Sequence, residues 1–222
     1  MSILRAVCLA SLLSIGCSTA HAWDISLDPK YGLVTKDEAQ LAADAKFLEG
    51  IDEYYKGNRN QASQYYAVRG WQLLRQDKPQ DAMRRFNQAW LLDNKNGNAI
   101  WGMAAQQGMS HHQAKSLELF AEAEKLIGND IDFAVDYAKT LGQAGAENHD
   151  ENMLNDAFAR FAALYASNPD HTLNLQNWAI TLFYVGNYAE AWKKIKLAER
   201  TPHRGAIDRG FVSELQSKMP RP

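Results

Sequence analysis

Small and large apolar positions recur along this chain at a spacing that belongs to packed helix pairs. Within Tyr66 to Asn96, Gly70, Ala82, Phe86 and Ala89 are answered 34 residues later by Ala104, Ser116, Phe120 and Ala123. Where two antiparallel helices come within about 8 to 10 Å of each other, only a small residue fits at the crossing, and a large ring must fill the gap beside it. The pattern therefore predicts repeated helix pairs, with Gly70 and Ala82 at the close approach and Phe86 as the filler. Pro79 and Asp81 mark a helix start, and Leu91-Leu92-Asp93-Asn94 a helix end.

The same register organises the chain on both sides. Upstream, Thr35 to Glu38 reads as a capping box opening a helix to about Tyr55. In that helix Ala43, Phe47 and Gly50 repeat the small, large, small order, and Gly57 to Asn60 ends it. It is expected to cap the stack. Repeats then follow at about 63–96, 97–130, 131–169 and 170–203, the second turning at Gly108 to His112. In the third, Ala134, Tyr137, Ala138 and Leu141 keep a buried face at helical spacing. Phe120 to Phe161 spans 41 residues rather than 34, and the surplus of seven is assigned to a polar surface loop, Ala146 to Asn152. The fourth restores the period, with Ala157, Phe161 and Leu164 answered by Ala191, Ile195 and Ala198. A last helix over 206–218, with Ile207, Phe211 and Leu215 inward, would close the stack with an outer face that tolerates water.

A 34-residue period with this order of small, aromatic and small residues resembles the tetratricopeptide repeat (TPR) family, and Asn168-Pro169-Asp170 matches its closing turn. Arg69 and Ser116 depart from the family pattern. The resemblance implies an all-α, right-handed superhelical solenoid of about four helix pairs with capping helices at both ends. It also implies a concave groove, lined by the first helix of each pair, that binds a peptide or a partner protein. Projected onto this chain, the groove carries Trp71, Leu74 and Arg75 from the first repeat and Asn98, Trp101 and Met109 from the second. Asp132, Lys139 and Gln143 follow from the third, then Gln176, Ile180, Phe183 and Tyr184 from the fourth. Two roles stay open for Trp71 and Trp101: exposed groove lining, or filling between neighbouring repeats. With Ala67, Trp71 and Asp132 at the places where some family members carry a Lys and Asn clamp for a terminal carboxylate, a mixed apolar and polar peptide suits the surface better.

Composition changes the picture mainly at the N-terminus. Residues 1–22 combine a basic Arg5, an apolar run from Ala6 to Ile15 and an Ala20-His21-Ala22 cleavage signal, the layout of an export peptide. The apolar run is shorter than the roughly 20 residues of a spanning helix. A second cut is open, after residue 16, because Leu13 to Cys17 resembles a bacterial lipobox with Cys17 as the lipidated residue. Either way the mature chain is expected outside the cytoplasm, in the periplasm or lipid-anchored at the outer membrane. Residues 23–34 read as an extended arm, and 35–222 as the solenoid domain. Both cysteines, Cys8 and Cys17, lie in the export peptide, so the folded part must hold without disulfides. A formal net charge of -2 gives no basic footprint for nucleic acid.

Candidate chemistry is sparse. His111-His112 falls at a turn, where adjacent histidines point apart, and His149 falls in the polar insertion; neither is assigned as a metal site. No nucleophile elbow, H-E-x-x-H or phosphate loop occurs, and no catalytic residue or cofactor is assigned. The reading is a non-enzymatic scaffold or adaptor of the bacterial cell envelope. A self-associating structural protein, or a metal-dependent enzyme that its motifs do not reveal, are the alternatives; the oligomeric state is left open.

Overall fold

Each helix of this protein begins where a short polar side chain can take up free backbone N–H groups, or where a proline or a hairpin turn starts the chain anew. The structure, a computed structural model, describes residues 24–222; the expected export peptide, including Cys17, lies outside the described residues. Among the described residues there are ten α-helices and no strand. They are α1 (Glu38–Tyr54), α2 (Arg59–Arg75), α3 (Pro79–Leu92), α4 (Gly97–Met109), α5 (Gln113–Ile127), α6 (Ile131–Asn148), α7 (Glu151–Ser167), α8 (Thr172–Tyr184), α9 (Tyr188–Ala198) and α10 (Arg209–Lys218). Asn58, Asn96, Asp130, Asp150 and Asn187 each accept a backbone N–H in the first turn of α2, α4, α6, α7 and α9. Each such cap contributes about 1 kcal/mol.

The helices pair as α2/α3, α4/α5, α6/α7 and α8/α9, and the first helix of each pair packs on the first helix of the next. The result is an all-α superhelical solenoid of four helix pairs, with α1 and α10 at its ends. One turn geometry closes all four hairpins. Asp77, His111, His149 and Gly186 have φ of 57°, 61°, 53° and 77°. The residue after each sends its N–H back to a carbonyl five residues earlier: Lys78 to Leu73, His112 to Gln107, Asp150 to Gly145 and Asn187 to Leu182, at 3.0, 2.9, 2.9 and 2.8 Å. This left-handed stop satisfies the last carbonyls of a helix while reversing the chain. His111 and His149 are therefore hairpin hinges.

The core runs as a row of fully buried rings, Phe86, Phe120, Phe133 and Phe161, through α2 to α7. Small residues let the helices approach. A Cβ built on Gly70 would lie 2.4 Å from the Phe86 ring, and one on Gly102 only 2.2 Å from it, so Phe86 occupies a socket whose two walls are bare backbone. A second cluster joins α8, α9 and α10 around Trp192, Ile195, Phe211 and Leu215.

Four local expectations are corrected. The arm over 24–34 is not extended: it winds into two short 3-10 turns, Ile25–Leu27 and Pro29–Leu33, and docks on α3. The reason is Asn87, a buried amide whose Nδ2 donates to the carbonyls of Ser26 and Asp28 at 2.9 and 2.8 Å. An ion pair between Lys30 and Glu122 fixes the far end of the arm. The capping box of α1 is Asp37 with Gln40 rather than Thr35 with Glu38. The first repeat begins at Arg59, capped by Asn58, four residues ahead of the expected start at 63. The seven surplus residues of the third repeat form no loop. They lengthen α6 to 18 residues and α7 to 17, against 13 and 15 in α4 and α5. Close packing continues to the tip, where a Cβ on Gly145 would lie 2.9 Å from the Leu154 backbone nitrogen.

The α1 cap also differs from its expected register. Ala43 and Gly50 are exposed, and α1 instead leans on the stack through Phe47, Leu48, Ile51 and Tyr55.

Candidate partner-binding groove

The inner face of the stack is built from α2, α4, α6 and α8, whose indoles and rings meet across the repeat boundaries. Trp71 of α2 stands edge-on to Trp101 of α4, with centroids 4.7 Å apart, and Trp101 stands edge-on to Phe133 of α6 at 5.8 Å. Each indole N–H is spent on the next repeat: Trp71 Nε1 donates to Asn98 Oδ1 at 2.9 Å and Trp101 Nε1 to Asp136 Oδ2 at 3.2 Å. Both tryptophans are half-buried. Trp71 takes both roles that the sequence leaves open, filling between repeats on one side and lining the groove cavity on the other, whereas Trp101 packs between repeats and does not line that cavity.

Beside this ladder lies a cavity of about 460 Å³. Of the residues expected in the groove, Trp71, Leu74, Arg75, Met109, Lys139 and Gln143 all line it, together with Ala105, Gln113, Phe120, Asp136 and Thr140. Met109 is 56% exposed, so the apolar wall meets solvent. Leu74 is buried and contributes only an edge. The wall is apolar and the rim carries Arg75, Lys139, Gln113 and Gln143, the mix of anchors and convergent polar groups typical of a ligand site.

The remaining expected positions are distributed differently. Asn98 orients Trp71 from beneath. Asp132 is exposed and is held by His171 Nε2 at 3.2 Å; the His171 Nδ1 accepts the N–H of Asn174, which puts the proton on Nε2. Gln176 and Phe183 are corrections, since both are buried. Gln176 Oε1 accepts the backbone N–H of Asp208 at 2.6 Å, and Phe183 packs edge-on against Phe211 of α10 at 5.7 Å. Ile180 is half-buried in the same cluster. The last pair has no following repeat, so the terminal cap and the turn before it cover that part of the face. Tyr184, 59% exposed, lines a smaller cavity of about 200 Å³ with Gln143, Ala146 and Glu147.

Asp136, like Gln113, Phe120 and Thr140, is a groove residue that sequence reasoning missed. It lies four residues after Asp132 and seven before Gln143, so helical spacing already placed it on that face. Burial pushes its carboxyl above the ordinary carboxylate value, a shift that Asp132 reinforces and that the Lys139 charge and the Trp101 N–H only partly offset. A raised folded-state value favours the protonated form on folding, so this group stabilises most at acid pH and progressively less as pH rises through the raised value. Asp136→Asn, which keeps an acceptor for Trp101, is therefore expected to raise the melting temperature at pH 7. That advantage should shrink as pH falls towards about 4, near the ordinary carboxylate value, in melts of the two proteins at both pH values.

Among the described residues, no three His, Cys, Asp or Glu side chains converge as metal ligands would, and no helix is long and apolar enough to cross a membrane.

A stack of helix pairs with left-handed hairpin stops, a ring-in-small-residue core and an open inner face has the fold of TPR solenoids. Solved structures of the same fold agree. A thermophilic TPR protein from Thermus thermophilus superposes with a TM-score of 0.64 at 16% identity, over 72% of this chain and 84% of that one. MamA superposes with a TM-score of 0.52 at 15% identity, over 78% of this chain and 99% of that one. No protein-family model matches the sequence, and no curated protein matches it.

Proposed function

We propose that this protein is a non-enzymatic scaffold of the bacterial cell envelope that holds a segment of a partner protein in its concave groove. The observation that carries the reading is the cavity on the inner face, where the half-buried Trp71 and the exposed Met109 meet a rim of Arg75, Lys139 and Gln143. Monomers rarely leave an apolar surface of this kind open without a binding use, and aromatic and Arg side chains are the commonest anchors of binding energy. A peptide with one apolar side chain for the cavity and polar groups for the rim fits this chemistry. The export peptide over 1–22 supports a place outside the cytoplasm, either free after cleavage at Trp23 or held through a lipidated Cys17. Several acyl chains at about 0.8 kcal/mol per buried CH₂ would make that attachment long-lived.

The test is a crosslinking pull-down from envelope fractions with the wild type, Lys139→Glu and Met109→Asp. Both positions line the cavity without filling the core, whereas truncating Trp101 would also remove packing between repeats. The expected result is one dominant partner set with the wild type that both variants lose while keeping wild-type helicity. Identical partner sets for all three proteins would remove the groove assignment. Intact mass of the purified wild type separates a Cys17 acyl adduct from an N-terminus at Trp23.

A further inference from the structure

The N-terminal end of the stack is incompletely covered, and the repeat register shows how much is missing. Tyr65 and Val68 of α2 stand 34 residues before Ala99 and Gly102 of α4. In α4 those two positions are buried in the stack. In α2 they are 56% and 49% exposed; among the described residues α1 is the one α-helix that precedes them. The helix α1 packs on α2 and α3 through Phe47, Leu48, Ile51 and Tyr55 but covers only part of α2. It leaves a cleft of about 710 Å³ between itself and α2, with Phe47, Tyr54, Tyr55 and Tyr66 in its walls and Tyr54 80% exposed. A Cβ on Gly50, in the same cleft, would touch nothing.

Charge on this end is divided by helix. In α1, Glu38, Asp44, Glu49, Asp52 and Glu53 outnumber the single Lys46, whereas α2 has Arg59, Arg69 and Arg75 and no acidic residue. Within the chain, Asp52 pairs with Arg59 and Asp44 with Lys36. Glu38, Glu49 and Glu53 remain exposed on α1 together with Lys46, which stands in the cleft wall, and Arg69 remains exposed on α2, while Arg75 belongs to the groove rim. The outward charges left over are net acidic on α1 and basic at Arg69 on α2, opposite signs on the two helices that flank the cleft, an arrangement that is self-complementary about a two-fold axis.

We propose that this end is the contact between two copies of the chain, the α1 helix of each lying against α2 of the other, with Tyr65 and Val68 at the centre. The second copy supplies the cover that a preceding repeat would have given. The groove on α2, α4 and α6 stays open in this arrangement, so the proposal is independent of the partner-binding reading.

Sedimentation velocity on the protein purified from cells in its processed form tests it. The expected result is a mass rising towards two chains as concentration approaches about 100 μM, with Val68→Glu reduced to one chain at unchanged helicity. Arg69→Glu should weaken pairing about tenfold, and adding Glu53→Arg to the same chain should restore it, since each reversal then meets an opposite charge across the axis. A single chain at all concentrations, a dimer indifferent to Val68→Glu, or a monomer whose cleft crosslinks only to a different protein would each overturn the proposal.

Discussion

Phe86→Ala is expected to lower stability by about 3 to 5 kcal/mol, a large share of the roughly 5 to 15 kcal/mol that hold a typical domain. The ring is fully buried and fills the space between α2, α3 and α4, where Gly70 and Gly102 expose backbone to it. The cost has two parts, lost transfer of an aromatic ring and a cavity that two glycine-walled helices cannot close by side-chain movement. The same socket reverses the usual sign of a glycine substitution. In an open helix Gly→Ala gains up to about 1 kcal/mol, and Gly50→Ala, with nothing within reach of its Cβ, should do so. Gly102→Ala drives a methyl group to 2.2 Å from the Phe86 ring and should instead cost about 1 to 3 kcal/mol. Combining Gly102→Ala with Phe86→Leu should cost less than the two alone, since the smaller side chain relieves the clash. Urea melts of the single and double variants check all of these. A Gly102→Ala protein as stable as Gly50→Ala would show that the socket is not closed as described.

The second large effect is expected at the other end of the stack. Trp192 is fully buried in the α8 to α10 cluster, its Nε1 donates to the Met219 carbonyl at 3.0 Å, and the Arg221 guanidinium lies 5.6 Å from its ring centroid. Trp192→Ala should cost about 3 to 5 kcal/mol. More specifically, it should release the cap, because this indole sits at the centre of the cluster and also reaches the chain beyond α10. Amide exchange in α10 should accelerate well before that in α4 and α5, as expected where repeats contact only their neighbours. Trp192→Phe keeps a ring but not the bond to Met219, and should cost about 1 kcal/mol for the bond plus the reduced packing. Uniform acceleration through α4, α5 and α10 would mean that the stack unfolds as one unit and that the cap has no separate role.

The two ends of the solenoid meet the same physical demand in different ways. At the C-terminus the cap and its preceding turn cover Gln176, Ile180 and Phe183, positions that would otherwise continue the groove. At the N-terminus α1 covers less, and the exposed Tyr65 and Val68 are the consequence. The caps thereby limit the groove: the larger cavity spans α2 to α6, and on α8 the exposed Tyr184 continues the face in the smaller cavity beside Gln143.

Helix pairing, period and the Phe86 filler beside Gly70 were legible in the sequence, because close helix crossings admit only small residues and those recur at a fixed spacing. About half of the cavity lining falls on positions that helical spacing within α2, α4 and α6 picks out. The rest depended on contacts between parts of the chain distant in sequence. Nothing local marks Asn87 as the anchor of the arm; its amide becomes expensive only once it is buried, and only then do the Ser26 and Asp28 carbonyls become its natural partners. The polar run from Ala146 to Asn152 looks like a loop, yet Gly145, facing Leu154 and Met153, lets α6 and α7 stay in contact to their tips. Likewise, whether Trp71 and Trp101 wall a groove or fill a gap is decided by where the next repeat places Asn98 and Asp136. Sequence alone thus determined the repeating unit, since its constraints act within one helix pair. The tertiary structure decided what happens between pairs and at the ends, where a side chain's burial depends on what, if anything, packs against it.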